Sequence, residues 1–231
     1  MRFDPRIDRV SACKTISEVH SEGDQVKSFW SVCGSLPDPL YNTDPFGYKP
    51  SLAPSSVIDS AQRGARIIKD GKVLVHSDGD TFCPPSLVEV EGLGWFEEYA
   101  NGDSTPYVAA YGMEEVDNVH RGTLRYIGWS ETVRGMLDLG LYSIEPLEQD
   151  CQTPSDLIQN LTGIKNVPAC KAAAEHLNLD NSLAALIRLQ WLGLFDDDAI
   201  PTWCKSPREV VSDLFLKKLV HEPQEIDLVV R

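Results

Sequence analysis

The chain has 231 residues, 42% of them hydrophobic and 24% charged, enough to bury a real core and typical of a folded globular protein rather than a disordered or fibrous one. With 35 acidic against 21 basic residues its net charge is −14, a field that repels phosphate backbones and anionic lipid and so argues against nucleic-acid and membrane-surface partners. An anionic ligand would need a locally basic pocket.

In chain order, Val10, Cys13, Ile16 and Val19 recur every three residues, which predicts one face of a helix over residues 8–22 that ends near Gly23. The stretch QVKSFWSVC alternates apolar and polar residues and predicts a strand running into Cys33. Residues 33–56 are rich in Pro, Gly, Asn and Asp and read as a long ordered loop, a frequent location for function. A short helix capped by Ser55 or Ser56 runs through Ala61, and ARIIKDGKVLVHS reads as two strands joined by Asp70-Gly71, a strong hairpin signal. A turn at Cys83-Pro84-Pro85, the segment WFEEY, a short helix at residues 105–111 and the strand-like NVHRGTLRY complete a mixed-sheet α/β region over residues 1–129.

From residue 130 the pattern turns helical. Ser130 is the expected cap of ETVRGMLDLGL, Thr153-Pro154-Ser155-Asp156 has the capping-box pattern, and PACKAAAEHL and NSLAALIRLQWLGLF have helical periodicity. Ser206, Pro207 and Glu209 supply a cap, an N1 proline and an N3 carboxylate. Residues 130–221 therefore form an all-helical subdomain, and 222–231 a terminal strand expected to seek a partner outside the chain.

No glycine-rich nucleotide fingerprint occurs, neither G-x-G-x-x-G nor G-x-x-x-x-G-K-[ST]. The six cysteines contain no C-x-x-C pair and the five histidines no metal-ligand spacing, so reduced thiols and no metal centre are expected. The N-terminus lacks an apolar signal core, and no window approaches the ~18 apolar residues of a membrane span, which predicts a soluble, cytoplasmic protein. Glu97-Glu98 and Glu114-Glu115 are read as solvated acidic faces rather than acid/base groups. In the run 121–125, strand alternation puts Arg121, Thr123 and Arg125 on one face, two guanidinium forks around a hydroxyl. That grouping suits a carboxylate ligand, and pairing with the abundant local acids is the ordinary alternative.

The stretch GDSTPYVAAYGMEEVDNVHRGTLRYIGW resembles the substrate-domain segment of saccharopine dehydrogenases, where the pattern reads N-R-D-S followed by R-G-T-L-R-Y and a helix. The resemblance extends to FDPRIDRVSACKTISEVHSEGDQVKSFWSVCGSLPDP, DPFGYKPSL, LQWLGLFDDDAIP and LKKLVHEPQEIDLVVR, in order and with near-equal spacing. It implies a substrate and dimerisation region with a helical part. In the family this region is inserted between the halves of a Rossmann domain that binds NAD or NADP and oxidises saccharopine, a secondary amine with three carboxylates, to an imine that water splits into glutamate and α-aminoadipate semialdehyde. On this resemblance no cofactor is bound by the chain itself, and its partners are a saccharopine-like amino-dicarboxylate and either a second copy or a Rossmann-domain chain; the alternative is an inactive binding or oligomerising module. Substrate contacts carry over to Asp103, Ser104, Thr123 and Cys33, with Arg121 and Arg125 beside them. Departures are Gly102 in place of the arginine of N-R-D-S, Arg6 and Arg9 for a glycine and a histidine, Ser35 for a glycine, and Pro50-Ser51-Leu52 for F-S-W. Gly102 is read as a turn glycine, and Arg121, Arg125 or Lys49 as the cations able to replace the lost charge.

Overall fold

The computed structural model describes residues 7–50, 54–82, 84–179 and 184–230; Arg6, Ser51, Leu52, Cys83 and the start of the 181–195 segment lie outside them. Seven strands form the sheet: β1 (Ser28–Pro37), β2 (Ala65–Lys69), β3 (Lys72–His76), β4 (Ser86–Val90), β5 (Gly94–Ala100), β6 (Asn118–Tyr126) and β7 (Asp227–Val230). β6 is its axis. It runs parallel to β1 from Ser28↔Asn118 to Cys33↔Thr123, pairs antiparallel with β5 from Phe96↔Tyr126 to Ala100↔Gly122, and meets β2 at Ile68↔Val119.

The β2–β3 turn forms as predicted, with Asp70 and Gly71 both at positive φ (50° and 72°), the geometry a two-residue hairpin demands. β4 is absent from the sequence reading; it supplies a second antiparallel partner of β5, on the edge away from β6. The terminal strand also differs from expectation. β1 continues four residues beyond Cys33, and its residues 34–37 take β7 as an antiparallel partner within the chain, with Ser35 Oγ donating to Asp227 Oδ2 at 2.8 Å.

The helices are α1 (Ile7–Ser21), α2 (Pro54–Gln62), α3 (Tyr107–Tyr111), α4 (Trp129–Asp138), α5 (Pro154–Thr162), α6 (Ala169–His176), α7 (Ala184–Leu192) and α8 (Pro207–Lys218). Residues of α2 and α4 through α8 share one apolar core with Phe46, Tyr48 and Phe82. Leu36, Phe96, Leu124 and Val230 form a second, smaller cluster on the opposite face of the sheet. Arg188 of α7 ties the helices to the sheet: its guanidinium donates to Pro45 O (2.6 Å), Ile127 O (3.1 Å) and Gly128 O (3.2 Å).

Two caps illustrate what is local and what is not. At α5 the capping box forms fully, Asp156 N donating to Thr153 Oγ1 (3.0 Å) and Thr153 N to Asp156 Oδ2 (2.9 Å). At α4 the expected cap, Ser130, instead sits inside the first turn. The cap position is Gly128, and the acceptor for the buried N–H groups of the helix start is Glu97 on β5, whose oxygens receive Gly128 N at 2.6 Å and Ser130 N at 2.8 Å. Glu97 and Glu98 are therefore not a solvated face: they are 6% and 1% exposed, Glu98 being hydrogen-bonded to His120 Nε2 at 2.5 Å.

Helix α1 lies outside the main core, against α3. Of its predicted apolar stripe only Ile16 is buried, Cys13 and Val19 are half-buried, and Val10 is 71% exposed, because the helix is held by polar contacts as much as by apolar ones. His20 Nε2 lies 2.8 Å from Glu115 Oε1, which also accepts Val26 N at 3.0 Å. The His20 bond, with backbone donors, holds the Glu115 carboxyl down to about 2. A folded-state value below the ordinary carboxylate range stabilises above that range and is lost on acidification. Docking of α1 is thus expected to weaken as pH falls from about 4 toward 2, seen as faster hydrogen exchange of α1 amides ahead of those of α4; equal protection of both helices through that window would contradict it.

Candidate functional site

Between α2, the loop preceding it and the sheet lies a cleft of about 540 Å³. Its floor is set by strand register. Cys33 of β1 and Tyr99 of β5 both pair with Thr123 of β6, so a thiol, a phenol and a hydroxyl sit side by side on one face of the sheet. Burial pushes the Tyr99 phenol up, which keeps it a neutral hydrogen-bond donor at physiological pH. Two residues further along β6, Arg125 closes one end. Its guanidinium carbon lies 4.7 Å from the Tyr48 ring centroid and 5.6 Å from that of Trp129, and Nη1 donates to Leu124 O at 2.8 Å. Its Nε–H is buried and has no hydrogen-bond partner among the described residues.

The opposite end is built by Asn101 and Gly102, with Arg63 and Gly64 from the end of α2. Gly102 has φ +64°, so it is a turn glycine as read, and the place a Cβ would take is open. Its neighbours are held by backbone bonds, Asn101 N to Arg121 O at 2.8 Å and Arg66 N to Gly102 O at 3.0 Å.

Of the sequence-predicted residues the structure brings Cys33, Thr123 and Arg125 to the cleft lining, and not Asp103, Ser104 or Arg121. Asp103 turns outward to Arg66 (3.3 Å) and receives the Thr105 hydroxyl and amide at 2.7 and 2.9 Å, bonds that hold its carboxyl below the usual range against the opposing effect of burial. Ser104 is fully buried, and its Oγ accepts Arg121 N at 3.1 Å, locking the 101–104 turn onto β6. Arg121 shares the strand face but stacks over Tyr107 of α3, 4.2 Å from the ring centroid. Lys49 is not a spare cation either, because it is 6% exposed and bonded to Glu225. Sequence reasoning missed Arg63, since nothing in its local pattern sets it apart from a solvent-facing arginine at a helix end.

The lining therefore carries two guanidinium groups and no carboxylate, in a chain with a net charge of −14. Guanidinium forks are suited to carboxylate oxygens, and none of the lining residues opposes an anion by charge. Cys13, Cys151, Cys170 and Cys204 are free thiols, and among the described residues no group of three or more His, Cys, Asp and Glu side chains could hold a metal ion, nor is any helix long and apolar enough to cross a membrane.

Comparison with known proteins gives consistent findings. A family model described as the saccharopine dehydrogenase C-terminal domain matches residues 3–230. The chain is 31% identical over 240 residues to the mitochondrial alpha-aminoadipic semialdehyde synthase of Rattus norvegicus, covering 99% of this chain and 25% of that one. It is 31% identical over 242 residues to the NADP(+), L-glutamate-forming saccharopine dehydrogenase of Pyricularia oryzae, covering 98% and 52%. Among solved structures it is similar to apo saccharopine dehydrogenase (L-Glu forming) from Saccharomyces cerevisiae, with a TM-score of 0.87, 30% identity, and coverage of 98% and 53%. The chain thus spans between about a quarter and about half the length of these relatives.

Proposed function

Because the chain belongs to the saccharopine dehydrogenase C-terminal domain family, we propose that its cleft binds a saccharopine-like amino-dicarboxylate as the substrate half of an oxidoreductase of lysine metabolism. The observation that carries this reading is the lining itself: Arg63 and Arg125 as carboxylate donors, Thr123, Tyr99 and Cys33 as a polar floor, and no Asp or Glu among the lining residues. Arg125 is prepared for the task, since its stacking on Tyr48 and Trp129 fixes the guanidinium plane before a ligand arrives.

On this reading the described residues do not themselves hold the nicotinamide cofactor. No glycine fingerprint occurs in the sequence, and where a strand, a glycine and a helix follow one another, at β6, Gly128 and α4, the Glu97 carboxylate already takes the Gly128 and Ser130 N–H groups that a pyrophosphate would need. The NADP named for the fungal relatives is on this reading bound by a dinucleotide-binding unit that the described residues do not include, whether on a second polypeptide or elsewhere in a longer one. The test is isothermal calorimetry of the purified chain against saccharopine, together with nicotinamide absorbance in the presence of saccharopine and NAD or NADP. Binding in the micromolar to millimolar range without cofactor reduction is expected. A folded chain that binds no saccharopine would leave the inactive, oligomerising reading in its place.

A further inference from the structure

Most of the acid-rich chain's described arginines are spoken for by carboxylates, carbonyls or rings: Arg66 by Asp103, Arg134 by Asp80 and Asp138, Arg208 by Asp59, Arg188 by three carbonyls, and Arg121 and Arg125 by aromatic faces. Arg63 differs. It is exposed, lines the cleft, and among the described residues has no carboxylate within ion-pair distance; its single hydrogen bond runs from Nε to Asp59 O, in the last turn of the preceding helix α2, at 3.3 Å. The acids beside it are engaged elsewhere, Asp59 with Arg208 and Asp78 Oδ1 with Gly64 N at 2.9 Å.

The backbone fixes where Arg63 stands. Arg66 N donates to Gly102 O (3.0 Å) and Ser104 N to Arg66 O (2.8 Å), so the chain just after Arg63 runs alongside residues 102–104 and brings Arg63 to the Gly102 end of the cleft. Arg125 marks the other end. From residue 121, which receives Asn101, to residue 125 is four residues of extended strand, about 13 Å, with Thr123 midway and Cys33 beside it.

Resting on the cleft reading above, we infer that Arg63 is a specificity-determining residue that grips a second carboxylate at the far end of the ligand from Arg125. The pair selects an extended dicarboxylate whose acid groups are separated by a long chain over a short one such as glutamate, which cannot reach both guanidinium groups. Because a guanidinium presents a planar fork to a carboxylate, lysine at this position only partly substitutes.

Calorimetric titrations of the full chain with saccharopine and with glutamate, for the native protein, Arg63→Gln and Arg63→Lys, test this. Arg63 is exposed, so each variant is expected to keep the native melting temperature, which serves as the folding control. Arg63→Gln is expected to weaken saccharopine about ten-fold or more, as loss of one charge-assisted contact does, while changing glutamate less than about two-fold, with Arg63→Lys in between. Unchanged saccharopine affinity in Arg63→Gln overturns the inference and leaves the cleft reading standing. An equal loss for both ligands overturns the selectivity and leaves only long-range attraction. A folded native chain that binds neither ligand overturns the cleft reading and this inference together.

Discussion

Glu97→Ala is expected to destabilise the chain by on the order of 4 kcal/mol, a large share of the 5–15 kcal/mol typical of a domain. The carboxylate is 6% exposed and receives two backbone donors at the start of α4, Gly128 N at 2.6 Å and Ser130 N at 2.8 Å. Each is a bond from a buried N–H to an ionised acceptor, worth about 1.5–3 kcal/mol, and truncation strands both donors where no water reaches them. The negative charge also lies at the positive end of a helix. Glu97→Gln separates these contributions, because one amide oxygen satisfies one donor and the amide nitrogen opposes the other; about 2 kcal/mol is expected. Urea unfolding of the three proteins, compared at equal m-value, measures the series, and a loss under about 1 kcal/mol for Glu97→Ala would show that α4 is capped by something else. The same side chain reaches the cleft indirectly, since Glu97 pairs across the sheet with Arg125, and α4 begins with the Trp129 ring against which that arginine rests.

How much of this was readable in advance depended on the distance over which each signal acts. The Asp70-Gly71 hairpin and the Thr153 capping box are decided by two to four consecutive residues, and both appear in the structure as the sequence predicts. The resemblance to saccharopine dehydrogenases points to Cys33 and Thr123 separately as cleft residues, whereas their parallel pairing is a finding of the structure. The cap of α4 is different. Ser130 is the natural local choice, but a carboxylate 31 residues upstream occupies the role, and no pattern within one turn of the helix announces it. Likewise Glu97-Glu98 looks solvated in a chain of 35 acids until cross-strand pairing buries both. Arg63 reaches the cleft only because residues 66 and 102–104 are bonded along their backbones, a contact between segments nearly forty residues apart. Arg121, Thr123 and Arg125 share a face as alternation requires, yet Tyr107 draws the first guanidinium away from the other two residues, which periodicity alone cannot anticipate.

Gly122→Ala is expected to cost about 3 kcal/mol although it adds one methyl group in a strand, where alanine is ordinarily no worse than glycine. A Cβ on residue 122 would lie 1.7 Å from Glu98 Oε1, 2.7 Å from its carboxyl carbon and 3.0 Å from His120 Nε2. A carboxylate at the end of a free side chain would swing aside cheaply, but this one is 1% exposed and bonded to His120, whose ring in turn stacks on Trp30 with centroids 4.3 Å apart. Making room therefore breaks a buried polar pair instead of rotating a surface group. A double-mutant cycle isolates that cause: in a Glu98→Ala background, where the obstacle is gone, Gly122→Ala is expected to cost under about 1 kcal/mol. Equal costs in both backgrounds would place the strain in the β6 backbone and refute the explanation. Trp30 is exposed, so its fluorescence should report loss of the histidine stack in Gly122→Ala before unfolding begins. Gly122 pairs with Ala100 while Thr123 pairs with Tyr99; one residue of the R-G-T-L-R run thus serves the cleft and its neighbour serves the opposite face of the sheet. The glycine of that motif is required by a carboxylate behind the strand, and the position of Thr123 in front of it depends on the glycine being there.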